Sequence, residues 1–345
     1  MRAAILHGKE DLRIEDIESR PLRAGEVGIA IEAALTCGTD LKVFKRGQHA
    51  RMITPPSPFG HELAGVISEV SDGAAASGWK PGDRVVVANS APCGNCPACR
   101  RAQENLCDDL LFLNGAYAES IAVPARLVAR NLLRLQQATG FVDAALTEPL
   151  ACVVQGVTDV GLGAGQCVMV IGAGPIGLMF VAIAKHLGCE VVVLGRGANR
   201  LAAAERLGAD RIFDTTGAAD LVELVRASSI VPPDVVIEAV GRPETWEAAT
   251  RLVRKGGIVN FFGGCPAGTR VSLDTALVHY SSLRLVASFH HTPTTIRRAL
   301  GFIEMGVIRA ADFVDGECPL SAVPELFRSM AAGNRAVKTR VRVCE

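Results

Sequence analysis

Cys167-Val-Met-Val-Ile171-Gly172-Ala-Gly174-Pro175-Ile176-Gly177 is the stretch that decides the fold. Five residues of strand character run into G-x-G-x-x-G and then into Leu178-Met-Phe-Val-Ala-Ile-Ala184, which reads as a buried helix. The glycine pattern alone is a weak signal, but between a strand and a helix it marks a dinucleotide site. Gly172 permits the tight turn, Gly174 lets the backbone approach a pyrophosphate, and Gly177 lets helix and strand pack closely. The helix start offers free N–H groups and a favourable dipole. Gly172, Gly174, Pro175, Ile176 and Gly177 are therefore the expected phosphate contacts. No charged residue occurs between Asp159 and Lys185, long enough to raise a membrane span. The glycines and Pro175 divide it into strand, turn and helix, so that reading is set aside.

Beyond this motif, strand and helix patterns alternate. Strands are expected at 167–171, 190–194, 211–213, 235–238 and 257–262, and helices at 175–187, 200–207, 219–226 and 244–252. Such alternation predicts a parallel sheet covered on both faces. The second strand should end in an acid if a ribose 2′-hydroxyl is to be held. Gly195 stands there instead, followed by Arg196, Asn199 and Arg200. Neither Glu190 at the strand start nor Glu205 within the helix replaces that acid. Without the carboxylate, a 2′-phosphate is not repelled, and a guanidinium binds phosphate in bidentate fashion. NADP(H) is therefore expected over NAD(H), with Gly195, Arg196 and Arg200 at the site. The competing reading stacks Arg196 on adenine and leaves Arg200 merely starting a helix. Glu238-Ala-Val-Gly241 and Phe262-Gly-Gly264 end later strands, so Gly241 is expected near the ribose and nicotinamide, with simple turn chemistry an equal competitor.

The first 150 residues differ in texture. Short β runs at 3–6, 27–33, 63–70, 84–88 and 116–123 are separated by turn residues, and helical period is scarce. A mostly β, barrel-like unit is expected. After about residue 289 the alternation stops, leaving a helix at 294–304 and strands at 314–316 and 337–343, a tail expected to rejoin the first unit. With 345 residues, two domains are expected, 1–151 with 288–345 and 152–287. Thirty-six basic side chains balance 36 acidic ones and only 5% of residues are aromatic, so neither nucleic acid nor an anionic membrane is favoured as partner. Eleven cysteines follow a start with no signal-peptide pattern, which points to a reducing compartment, the cytoplasm.

Four of those cysteines form a ladder, Cys93-Gly-Asn-Cys96-Pro-Ala-Cys99 and then Cys107. A tight loop can turn such thiolates toward one point, and a four-thiolate zinc has no open position, which makes it structural. Two disulfides are the competing reading, which the compartment disfavours. Three further fragments carry metal-type ligands: Cys37-Gly-Thr39-Asp40, Gly60-His61-Glu62 and Glu148-Pro-Leu150. Each alone is weak, since a lone cysteine is usually filler and Glu-Pro often marks only a helix boundary.

In this order, with the ladder and the glycine motif, they resemble the zinc-dependent medium-chain dehydrogenase/reductase family, closest to its sorbitol (polyol) and threonine dehydrogenase branches. The resemblance covers essentially the whole chain. It implies a Rossmann domain, a doubly wound parallel α/β sheet, beside a GroES-like β-rich catalytic domain carrying the structural zinc lobe. It implies a catalytic zinc on Cys37, His61 and Glu148, with Glu62 as an exchangeable fourth ligand or a partner of the ligands, hence two zinc ions per chain. The metal would act as Lewis acid on the oxygen of a small alcohol or ketone, and Thr39 would take the relay hydroxyl's place. Where many members carry a relay histidine, this chain has Lys42. Glu148-Pro-Leu150 matches the polyol branch, so a polyol or sugar-like secondary alcohol is expected. A threonine-type amino-alcohol dehydrogenase using NAD(H) and a non-catalytic dinucleotide-binding redox sensor are the alternatives. A homodimer or homotetramer follows from the resemblance alone. His290-His291 falls where the tail begins, and a surface or interface position is expected for it ahead of a pocket one.

Overall fold

The computed structural model describes residues 1–49, 51–333 and 336–343. The chain divides into two compact units, Met1–Ala151 with His291–Glu345, and Cys152–His290. The division falls inside the helix Thr147–Val160.

In the second unit six strands run parallel, in the spatial order Arg211–Asp214, Glu190–Gly195, Cys167–Ile171, Val235–Glu238, Ile258–Phe261, Arg284–Ala287. Order reverses at Cys167–Ile171, the switch point where such sheets bind ligands beyond the strand ends. Val168, Met169 and Val170 are fully buried, because helices leave neither face of this strand to water. The helix Pro175–His186 buries every residue from Gly177 to Ala184. The long uncharged stretch is thus two covered core elements in succession, and no helix among the described residues is long and apolar enough to cross a membrane.

Some details depart from expectation. The helix expected from 219 begins at Leu221, because Asp220 caps it by accepting the Val222 and Glu223 amides. The strand Arg284–Ala287 was not anticipated; it lies at the sheet edge with both ends exposed, so no buried run announces it.

The first unit is mainly antiparallel. Seven strands form one sheet, in which Val27–Leu35 is flanked by Glu62–Val70 and Lys338–Arg342 and also pairs with Ser120–Val123. Asp11–Asp16, Arg2–Gly8 and Ser57–Pro58 form a smaller sheet. Helix is commoner here than the sequence pattern implies. Gly38–Arg46, Ala125–Asn131 and Val323–Ala331 are all helical. Gly38–Arg46 starts without a conventional polar cap; the Cys37 thiol accepts the Thr39 amide instead. Val323–Ala331 buries Val323, Phe327 and Met330, an amphipathic stripe, and Phe327 packs against the rings of Phe44, Phe59 and Tyr117. The run expected as a strand over 116–123 is paired as a strand only at Ser120–Val123.

A Cβ at Gly177 would overlap the Gly172 carbonyl oxygen, so the turn and the helix start cannot both keep their places with any other residue. Gly177→Ala is expected to cost about 1–3 kcal/mol by overpacking. Thermal unfolding should show the loss, and dinucleotide titration a weaker affinity.

Candidate active site

Strand register sets up the first cluster. Leu35 pairs with Glu62 across the sheet, so Cys37, two residues beyond one strand, and His61, one residue before the other, emerge at the same end. Donor atoms of Cys37, His61 and Glu62 all lie within 4.8 Å of one another. Glu148, in the first turn of Thr147–Val160, reaches the cluster through His61, its Oε2 lying 4.0 Å from His61 Nε2. Three remote segments therefore meet. His61, Glu62 and Glu148 are buried and Cys37 is half-buried.

Each donor is held from behind. His61 Nδ1 donates to Asp40 Oδ1 at 2.8 Å, leaving Nε2 for the cluster. Asp40, in the first turn of Gly38–Arg46, also accepts from the Tyr117 hydroxyl at 2.6 Å. Lys338 Nζ donates to both Glu62 oxygens, at 2.7 and 2.5 Å, and to the Thr36 carbonyl at 2.8 Å. That lysine arrives only because Lys338–Arg342 joins the sheet beside Val27–Leu35. His291 is buried, contrary to the surface position expected, with Nε2 3.0 Å from Asn89 Oδ1 and 3.8 Å from Glu148 Oε1. No local pattern marked Lys338, Tyr117 or Asn89; Asp40 stood in the Cys-Gly-Thr-Asp segment without an assigned role.

Burial and neighbouring charges shift the protons of this cluster. Burial, which by itself disfavours the imidazolium, is outweighed at His61 by Asp40 and Cys37, and its pKa stands well above the usual value. Burial likewise pushes Glu148 up to about 7, against the attraction of His61. A thiol, an imidazole and carboxylates brought together fit zinc, which accepts S, N and O donors and would replace their protons. Thr39 is half-buried one residue ahead of Asp40, and Lys42 is exposed on the same helix. Both lie on the helix Gly38–Arg46.

Cys93, Cys96, Cys99 and Cys107 form the second cluster, again within 4.8 Å of one another. The Cys93–Cys99 sulfurs are 4.0 Å apart and the Cys96–Cys107 sulfurs 3.9 Å. Four sulfurs at about 2.3 Å from one zinc would stand about 3.8 Å apart, so the tetrahedron is preformed. None of the ten described cysteines is joined in a disulfide. The Cys99 and Asp108 amides lower Cys96 to about 6, whereas burial first of all pushes Cys99 up to about 12. Thiols so divided ionise together only around a cation. The helix Pro97–Arg100 and the 3-10 turn Glu104–Leu106 bury no residue, so this lobe has no apolar core of its own.

In the second unit, Gly174 caps Pro175–His186, and Pro175 and Ile176 open its first turn. Gly195 ends its strand with no room for a side chain: a Cβ would come 2.5 Å from that of Ala173. Arg196 is exposed just beyond, and Arg200 lies in the first turn of Ala198–Arg206, which begins earlier than expected. Gly241 has its amide committed to Glu238, which also accepts from the Val240 amide and the Thr245 hydroxyl. Glu238 thus clamps the loop after its strand, a role that its position at a strand end did not reveal.

Cys96→Ser should lower bound zinc by one ion per chain and open residues 93–107 to protease, because metal binding there substitutes for a core. Metal analysis with limited proteolysis reads both effects.

Residues 23–132 match the alcohol dehydrogenase GroES-like domain, and residues 175–305 match the zinc-binding dehydrogenase family. The chain is 30% identical to sorbitol dehydrogenase of Bombyx mori, over 99% of this chain and 98% of that one. It is 32% identical to D-altritol 5-dehydrogenase of Agrobacterium fabrum, over 92% and 93%. Among solved structures, a Sinorhizobium meliloti protein described as a zinc-binding dehydrogenase, bound to NADP, superposes with a TM-score of 0.88 at 29% identity, covering 99% and 98% of the two chains. With its Rossmann sheet and GroES-like unit, the chain belongs to the zinc-dependent medium-chain dehydrogenase/reductase family, the zinc alcohol dehydrogenases.

Proposed function

We propose that this oxidoreductase transfers hydride between a secondary hydroxyl of a polyol or sugar-like substrate, or the matching ketone, and NADP(H). The observation that carries the reading is the convergence of the donor atoms of Cys37, His61 and Glu62, with Glu148 beside His61. Cys37, His61 and Glu148 would hold a catalytic zinc, and the four-cysteine lobe a structural one. When bound, the catalytic ion supplies Lewis acidity that polarises the substrate oxygen and eases loss of its proton.

The residues around it do the rest. Asp40 holds His61 so that its free nitrogen faces inward. Lys338 draws Glu62 back, leaving the carboxylate a reserve donor. Thr39 Oγ1 takes the substrate proton and releases it toward solvent along the face that bears Lys42. Oxidation then yields ketone, reduced cofactor and one proton.

The names of the two relatives support a polyhydroxylated substrate. NADP(H) is supported by the closed Gly195 position, by the exposed Arg196, and by the NADP found with the Sinorhizobium protein. The assembly is the dimer or tetramer that the family resemblance implies.

Metal analysis should find two zinc ions per chain. Cys37→Ser should remove one and lower turnover by about a hundredfold or more, the value of several kcal/mol of charge stabilisation. Unchanged turnover would overturn the site. Arg196→Ala should weaken NADP(H) about tenfold or more relative to NAD(H), as expected for loss of a charge-assisted hydrogen bond. Equal effects on both cofactors would overturn the preference. A panel of polyols, sugars and amino alcohols, read at the reduced-nicotinamide absorbance, tests the substrate class; turnover of threonine alone would favour the amino-alcohol branch.

A further inference from the structure

Tyr117 is fully buried, yet it carries a hydroxyl in a region built largely from apolar side chains. A buried hydroxyl is costly unless it is satisfied, so its partners indicate why it is there. The hydroxyl oxygen lies 2.6 Å from Asp40 Oδ2 and 3.2 Å from the Leu35 carbonyl. A phenol has one proton to give, and the short contact to the carboxylate takes it. Asp40 uses its other oxygen, Oδ1, for His61 Nδ1 at 2.8 Å. Among the described residues the carboxylate therefore has one side-chain partner per oxygen, a phenol on one and an imidazole on the other.

The ring that carries the hydroxyl is itself tightly seated. It packs against Phe59 and Phe327, each with its centroid 5.9 Å away. The Tyr117 amide donates to the Phe59 carbonyl at 3.0 Å, and the Tyr117 carbonyl accepts the Ala4 amide at 2.8 Å. Gly60, at φ +86, leaves room for the ring: a Cβ there would come within 2.8 Å of three ring carbons. Phe59 and Gly60 immediately precede His61. The phenol is thus braced by the same backbone that delivers the imidazole.

We propose that Tyr117 is a positioning residue for the metal centre: by holding Oδ2 it fixes the Asp40 carboxylate, and through it aims the His61 ring. The inference rests on the metal-centre reading given above. Without the phenol, the carboxylate can turn about its Cβ–Cγ bond, and His61 loses the fixed acceptor that sets its tautomer and tilt. Outer partners of this kind typically contribute 10–100-fold to metal affinity (about that range is expected here).

The test is a zinc-affinity cycle on the whole chain, with a competing chelator and the four-cysteine zinc as internal control. Wild type, Tyr117→Phe, Asp40→Asn and the double variant are compared, and each is repeated with Co²⁺ to read the ligand field by visible absorption. Tyr117→Phe is expected to weaken the mixed-donor site by about 10–100-fold and change its Co²⁺ spectrum while the lobe keeps its ion. Because Tyr117 acts through Asp40, the double variant should bind no more weakly than Asp40→Asn alone. Phe327→Leu disturbs the same ring seat without touching the hydrogen bond, and should leave affinity and spectrum as in wild type. Wild-type affinity in Tyr117→Phe, multiplicative losses in the double variant, or an equal loss in Phe327→Leu would each overturn the proposal. A wild-type chain that takes up only the lobe ion would overturn the metal-centre reading and this one with it; two ions in wild type leave the earlier reading intact and isolate the fate of Tyr117.

Discussion

The pairing of Val27–Leu35 with Glu62–Val70 is the constraint on which the candidate active site depends. Its register matches Leu35 to Glu62, and two irregularities between Gly28 and Ala33 adjust it along the way. A slip of one residue would send Glu62 to the opposite face and carry His61 away from Cys37. The first strand continues into the helix that holds Asp40, and on its other side it accepts Lys338–Arg342, which brings the lysine to Glu62. One strand thus organises one candidate donor, the residue behind a second, and the cation that restrains a third.

Electrostatics explains why the two metal-type clusters differ. The lobe gathers four thiols at tetrahedral spacing, a set that zinc would close completely. The other cluster mixes sulfur, nitrogen and oxygen, and one of its carboxylates is already engaged by a buried lysine. Burial would by itself lower the Lys338 pKa, but the Glu62 carboxylate raises it, so the lysine stays charged. A mixed set with one donor engaged elsewhere differs from a closed four-thiolate set, which keeps no exchangeable position.

The dinucleotide unit works by exclusion. Its turn admits only glycine at 177 because backbone oxygen occupies the space beside it, and its second strand ends at a residue whose side-chain position is filled by Ala173. Glu238 adds rigidity by gathering the Val240 and Gly241 amides of its own loop and the Thr245 hydroxyl of the helix that follows, and Trp246 of that helix donates to the Gly263 carbonyl. A loop so fixed keeps its course beyond the strand end, where sheets of this kind bind ligands.

The amino-acid pattern alone determined what depends on neighbours in sequence. The glycine motif, the alternation after Ala151 and the spacing of Cys93, Cys96, Cys99 and Cys107 each act within one turn, one crossover or one loop, and so were legible. Cys37, His61 and Glu148 became readable as a set only through their order and the family resemblance. Short helices such as Gly38–Arg46 and Val323–Ala331 escaped, the first because a thiol caps it and the second because its stripe matters only against Phe44, Phe59 and Tyr117. Tertiary structure alone decided that Lys338 meets Glu62 across 276 positions and that Tyr117 meets Asp40 across 77. Such partners carry no local signature, because the physical reason for each is a buried charge or hydroxyl that must be satisfied by whatever the folded sheet brings beside it.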